Sequence, residues 1–149
     1  MSVRPVLIYP ENRDIALSNL AVHWFFNAFG KYSPDLITLD SETGIIHGSR
    51  LDRSPFVFVS VSYGLSFFNL VKILEKNRIP LLKKDREKGI FPILIAGGVA
   101  VMLNPEPLKL IFDAVFTGEG ECMEQDIISM LELCTREEVS DLIDRLPIS

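Results

Sequence analysis

The chain has little cysteine. Two thiols, Cys122 and Cys134, occur in 149 residues. They share one helical pattern and stand roughly 18 Å apart along a helix axis. That is too far for a disulfide, so reduced thiols and a cytoplasmic setting are expected. The spacing also makes no Cys-x-x-Cys metal pair. Basic runs are missing too: net charge is −5, and the stretch Leu82 to Lys88 interleaves Asp85 and Glu87 with its bases. Mixed charge of this kind predicts a solvated loop and no nucleic-acid partner. No apolar run approaches the length of about 18 residues that spans a membrane. The N-terminus lacks the apolar core and cleavage site of a signal peptide. Neither the Gly-x(4)-Gly-Lys-Ser/Thr phosphate loop nor the Gly-x-Gly-x-x-Gly dinucleotide fingerprint occurs.

What is present is an ordinary globular composition, 48% hydrophobic and 23% charged, at a length suited to one domain. Short apolar runs alternate with amphipathic ones. Val6 to Tyr9, Leu36 to Leu39, Phe56 to Val61, Ile93 to Ala96 and Ala114 to Thr117 read as strands. The third is apolar on both faces, as in a parallel sheet covered on both sides. Ile15 to Phe29 reads as one helix, with Asp14 as N-cap, Gly30 as stop, and Leu17, Leu20, Ala21, Trp24 and Ala28 on its inner face. Ser66 to Asn77 reads as a second helix, with Phe67, Leu70, Val71 and Leu74 inward. Pro107 to Phe112, Met123 to Leu133 and Glu137 to Leu146 read as further helices. Asp40 to Pro55 reads as a polar loop with a short irregular element. The pattern predicts an α/β fold: a flavodoxin-like, Rossmann-like open sheet of five mostly parallel strands in order 2-1-3-4-5, with helices on both faces.

Ligands of such sheets sit at the carboxyl ends of the strands. Here those ends carry Tyr9-Pro10-Glu11-Asn12, Ser60-Val61-Ser62-Tyr63-Gly64, Gly97-Gly98 and Gly118-Glu119-Gly120-Glu121. A glycine pair either makes a turn or lets a ligand approach bare backbone. Ser60 and Ser62 either bond to local backbone or face a ligand. Glu119 and Glu121 occupy a helix start that a phosphate would otherwise use. His23 is expected in a core or flanking role and His47 in an exposed loop. Asp113 and Glu106 are candidates for paired acids, although Asp113 also suits a turn before the fifth strand. No catalytic constellation emerges, and no metal-ligating residue is assigned.

Taken in order, Tyr9-Pro10, Leu17-Ser18-Asn19-Leu20, Ser60-x-x-Tyr63-x-Leu65-Ser66, Ala96-Gly97-Gly98, Asn104-Pro105-Glu106-Pro107, Phe112-Asp113-Ala114 and Gly118-Glu119-Gly120-Glu121 form a set. This set resembles the N-terminal cobalamin-binding-like domain of radical S-adenosylmethionine (radical SAM) proteins. The resemblance implies that Ser60, Ser62, Gly97, Gly98, Gly118 and Gly120 line a cobalamin site. It implies a domain over residues 1–134, with 135–149 a C-terminal helix and linker towards a radical SAM catalytic domain, in cis or as a separate chain. The chain is then expected to be part of a longer or split protein. The Asp-x-His-x-x-Gly motif that offers a histidine to cobalt is absent. So is the Cys-x-x-x-Cys-x-x-Cys cluster motif, so the iron–sulfur cluster and S-adenosylmethionine belong to the catalytic domain. The expected function is to position a corrinoid or a substrate for that domain, while this chain alone is not catalytic. The alternative is a degenerate flavodoxin-like docking module that binds no cofactor.

Overall fold

The computed structural model describes residues 3–62, 64–87, 92–98, 106–116, 120–132 and 136–145. Five strands form the sheet: β1 (Val6–Ile8), β2 (Asp35–Ile37), β3 (Phe56–Ser60), β4 (Ile93–Gly97) and β5 (Ala114–Val115). Their order is β2-β1-β3-β4-β5, and every neighbouring pair is parallel. This is the flavodoxin-like arrangement that the strand pattern predicts. The helices among the described residues are α1 (Arg13–Leu17), α2 (Leu20–Ala28), α3 (Ser66–Lys76), α4 (Lys83–Arg86), α5 (Gly120–Leu131) and α6 (Arg136–Arg145). None of them is long and apolar enough to cross a membrane.

Alternation along the buried strands sorts side chains into two cores. On one face Leu7, Leu36, Phe56, Phe58, Ile93 and Ile95 pack with Phe25 and Phe29 of the α2 segment and Ile127 and Met130 of α5. On the other, Ile8, Val57, Val59 and Leu94 pack with Leu70, Ile73 and Leu74 of α3. An aromatic seam strengthens the first face. Phe25 meets Phe29 with ring centres 5.0 Å apart and Phe58 at 5.5 Å. Such pairs add about 0.5–1.5 kcal/mol each beyond the area they bury.

The expected helix over 15–29 is two helices. Ser18 Oγ donates to the carbonyls of Asp14 and Ile15, which draws the polar side chain back onto α1. Asn19 then starts afresh as N-cap, its Oδ1 accepting from the N–H groups of Ala21 and Val22. The restart shifts the helical phase. Ala16, Val22, Phe25 and Phe29 are buried, while Leu17, Leu20 and Ala21 of the expected inner face are exposed. Asp14 is not the cap: it lies within the first turn of α1, after Asn12. The helix expected over 107–112 is a 3-10 turn, Glu106–Leu110.

The stretch expected to be a solvated loop contains α4, and Arg86 within it is wholly buried. Arg86 Nη1 donates to the carbonyls of Pro80 and Leu81; Nη2 donates to the Ile111 carbonyl and pairs with Asp113 at 3.1 Å. Asp113 Oδ2 also accepts from the Leu94 N–H at 2.8 Å. Glu106 pairs with Lys109 instead, so Asp113 and Glu106 are not paired acids. A guanidinium has five donors, enough to close three chain segments at once. Charge pattern alone reads a surface loop here because it cannot show which base the fold turns inward.

Asp35 is the second buried charge. It begins β2 and accepts from the N–H groups of Leu36, Ile46, His47 and Ser49. These bonds shape the loop that returns from β2 towards β3. Burial pushes the carboxyl up, but the bonds from Ser49, Ile46 and Leu36 outweigh it and hold the group below its ordinary range.

Candidate functional site

All strands are parallel, so their carboxyl ends meet at one edge. The chain leaves β1 towards β2 on one side and enters β3 on the other, so the switch point lies between β1 and β3. There Tyr9, just past β1, donates from its hydroxyl to Ser62 Oγ at 3.1 Å, just past β3. Asn19 Nδ2 donates to Tyr9 Oη at 2.9 Å and approaches Ser62 Oγ at 3.5 Å. The break between α1 and α2 is what places Asn19 there. Beside this triad, Ser66 at the start of α3 donates to Glu11 Oε1 at 2.5 Å, and Asn69 Nδ2 donates to the Pro10 carbonyl. The segment after β1 is thus tied to the helix after β3 through side chains.

The expected site residues fall into distinct roles. Ser60 ends β3 opposite Gly97 of β4 in the parallel register. It is 8% exposed, and its hydroxyl takes no hydrogen-bond partner among the described residues. Ser62 belongs to the triad. Gly97 and Gly98 differ sharply. A Cβ on Gly97 would meet none of the described residues within 4 Å. Gly98 has φ +111°, and a Cβ there would lie 2.5 Å from the Val61 carbonyl oxygen. Gly98 is glycine because its backbone crosses Val61; Gly97 meets no such neighbour among the described residues. The backbone of Gly120 opens α5. Gly118 lies outside the described residues, as do Tyr63, Asn104, Pro105 and Cys134. The structure therefore brings Ser60, Ser62, Gly97 and Gly98 to one edge.

Tyr9 and Asn19 are the residues that sequence reasoning did not assign to the site. A signal for Asn19 was present: a Ser-Asn pair inside a helical pattern is a helix restart. His23 does not enter the triad; its Nε2 lies 2.5 Å from the Leu17 carbonyl on an exposed helix face. His47 lies on the exposed loop that Asp35 organises at the opposite edge. No cluster of three or more His, Cys, Asp or Glu that could hold a metal ion occurs among the described residues.

Exposed apolar side chains lie on the helices that start at this edge. Of the seven exposed large hydrophobics among the described residues, five lie on these helices: Ile15 and Leu17 on α1, Leu20 at the start of α2, and Leu65 and Phe68 at the start of α3. Leu20, Leu65 and Phe68 are 84%, 78% and 68% exposed. The groups brought together here are hydroxyls, an amide and bare backbone, and no nucleophile–base pair occurs at this edge among the described residues.

A family model described as radical SAM proteins, N-terminal, matches residues 33–146. Ser60, Ser62, Gly97, Gly98, Gly118 and Gly120 lie inside the match, whereas Tyr9 and Asn19 precede it. An uncharacterized protein of Methanocaldococcus jannaschii is 31% identical over 134 residues, covering 88% of this chain and 26% of that protein. The chain spans about a quarter of that relative's length. No solved structure matches.

Proposed function

This chain belongs to the family of N-terminal regions of radical SAM proteins, and we propose that its carboxyl edge holds a corrinoid, or a substrate, against a radical SAM catalytic domain. The observation that carries this reading is the pairing of Ser60, whose hydroxyl has no partner among the described residues, with Gly97, where a Cβ would meet none of the described residues within 4 Å. The pair adjoins the Tyr9–Asn19–Ser62 triad, and the exposed apolar side chains on the helices that start at this edge form its rim. A flat ring system needs bare backbone beside it and a few polar groups to orient it. Gly97 supplies the first; Ser60 and Ser62 supply the second. The residues therefore fit the nucleotide tail of a cobalamin. The cofactor, when bound, would supply a carrier for a methyl group or a radical.

In this role Ser60 and Ser62 bind and orient, Gly98 fixes the loop against Val61, and the rim excludes water at the domain contact. Neither histidine belongs to the triad, so this reading assigns no protein ligand to cobalt. The iron–sulfur chemistry is assigned to the catalytic domain. Incubation with hydroxocobalamin, gel filtration and absorbance test the reading. Co-elution of corrinoid with the protein is expected; colourless protein with no calorimetric heat would sink it.

The exposure of Leu20, Leu65 and Phe68 favours a second reading, in which the rim docks on the catalytic domain and the Ser60–Gly97 pair binds nothing. Under that reading hydroxocobalamin fails to bind, while Leu20→Ser with Phe68→Ser still weakens association with the catalytic domain.

A further inference from the structure

We propose that Asn19, Tyr9 and Ser62 form a hydrogen-bond relay of fixed direction, which makes the Ser62 hydroxyl a donor towards whatever occupies the carboxyl edge. The identity of the occupant rests on the preceding reading, but the relay does not. Its direction follows from three steps. Asn19 Oδ1 accepts from the Ala21 and Val22 N–H groups at 2.9 and 3.4 Å. Backbone N–H groups only donate, so the amide has one allowed orientation, with Nδ2 towards Tyr9 and Ser62.

Tyr9 Oη therefore accepts from Asn19, at 2.9 Å. One proton is left to be shared between Tyr9 Oη and Ser62 Oγ, 3.1 Å apart. Burial decides who gives it. Tyr9 is 1% exposed, and its hydroxyl has no other acceptor among the described residues. A buried hydroxyl that fails to donate carries the penalty of an unmade bond. Ser62 is only half-buried and has an outlet. Tyr9 donates, and Ser62 accepts.

Ser62 Oγ accepts at 3.1 Å from Tyr9 and, weakly, at 3.5 Å from Asn19. A hydroxyl has two acceptor sites and one proton. With both sites facing the relay, Ser62 has its proton left to offer. The group it recognises must present an acceptor atom: an aromatic ring nitrogen, a carbonyl or a phosphate oxygen. A donor group placed there would find no lone pair and would be rejected. Tyr9 and Asn19 are thus positioning residues for Ser62.

Asn19→Asp separates this role from a structural one. Aspartate caps a helix as well as asparagine does. Its second carboxylate oxygen, however, replaces the donor Nδ2 with an acceptor. Tyr9 then turns its proton to the new carboxylate, Ser62 donates to Tyr9, and the outward donor is lost. The expected result for hydroxocobalamin is a loss of affinity of roughly tenfold or more in Asn19→Asp and Ser62→Ala; Asn19→Asp keeps its circular dichroism and melting temperature, whereas Ser62→Ala, which strips the buried Tyr9 hydroxyl of its acceptor, melts lower. Cobinamide, which lacks the nucleotide tail, tells whether the acceptor lies on that tail: it should bind weakly and equally to all three proteins.

A second arm needs no ligand. In the wild type, the buried Tyr9 hydroxyl proton should show NMR contacts to the Ser62 β-protons. In Asn19→Asp those contacts should weaken as the proton turns away. Wild-type-like corrinoid affinity in Asn19→Asp, or a Tyr9 proton unmoved by that change, overturns the relay. If the wild type takes neither corrinoid, the corrinoid reading falls by itself, and the Tyr9 proton still decides the relay.

Discussion

At the amino edge of the sheet the buried polar groups are charged and bond to backbone. Asp35 collects four N–H groups, and Arg86 with Asp113 collects three carbonyls and one N–H. At the carboxyl edge the Tyr9–Asn19–Ser62 groups are neutral and bond to one another, and Ser60 is left without a partner among the described residues. Charges bonded to backbone and to one another fasten chain segments and have little left for a ligand. Neutral groups that meet side chain to side chain retain a donor or acceptor to offer a ligand. The difference separates the part of the molecule that holds the fold from the part that is shaped to bind.

That contrast is most easily broken at Arg86. Arg86→Leu leaves Asp113 at the sheet edge without its cation and three carbonyls without a donor. Loss of one partner of a buried pair costs about 3–5 kcal/mol. Urea denaturation should show a drop of this size, large against the total stability of a domain. A loss below about 1 kcal/mol would mean the amino edge is not the fastening edge, and the comparison would collapse.

Next comes Gly98. Its φ of +111° and the 2.5 Å approach to the Val61 oxygen leave no room for a methyl. Gly98→Ala should cost roughly 2–3 kcal/mol, read by the same urea midpoint. The position sits at the carboxyl edge yet behaves like the amino edge, because backbone rather than a ligand is its neighbour. It sharpens the comparison to side chains.

Asp35 gives the amino edge a pH dependence. Its carboxyl is held below the ordinary value of 3.8 in the folded chain. A depressed folded value means that the contribution is fully present above the unfolded value. It is lost as pH falls through the folded one. Stability should therefore fall as pH drops below about 4. Asp35→Asn, which mismatches an amide against N–H donors, should cost about 1–3 kcal/mol at pH 7. It should also flatten that acid limb. A limb unchanged in Asp35→Asn would place the titrating group elsewhere.

Much of the fold was legible in the sequence. Runs such as Phe56 to Val61 and Ile93 to Ala96 are short, apolar on both faces and bounded by polar or glycine-rich ends, which only a covered parallel sheet accommodates. Strand order followed from five strands with helical crossovers. The site was legible by position, since Ser60, Ser62 and Gly97 end strands. Its wiring was not. Asn19 lies in a stretch whose apolar spacing fits an unbroken helix, and the break depends on two polar side chains competing for backbone. Arg86 was missed for a related reason. Four bases in seven residues, Leu82 to Lys88, look solvated, and tertiary carbonyls choose the one that turns inward. Gly97 and Gly98 are identical letters with different neighbours, and periodicity cannot tell them apart.

Gly97→Ala is the smallest change in stability and the finest test of the comparison. The added methyl meets none of the described residues within 4 Å, and the backbone is outside the left-handed region that favours glycine. Stability should stay within about 0.5 kcal/mol of the wild type, with a slight gain available from reduced freedom of the unfolded chain. Yet the methyl would project from β4 on the face that it shares with Ser60. A neutral effect on the urea midpoint with weakened hydroxocobalamin binding would show that this glycine serves the ligand, while its neighbour Gly98 serves the fold. A stability loss as large as that of Gly98→Ala would instead mean that the room beside Gly97 is filled by the protein. The carboxyl edge would then differ from the amino edge only in the charge of its groups.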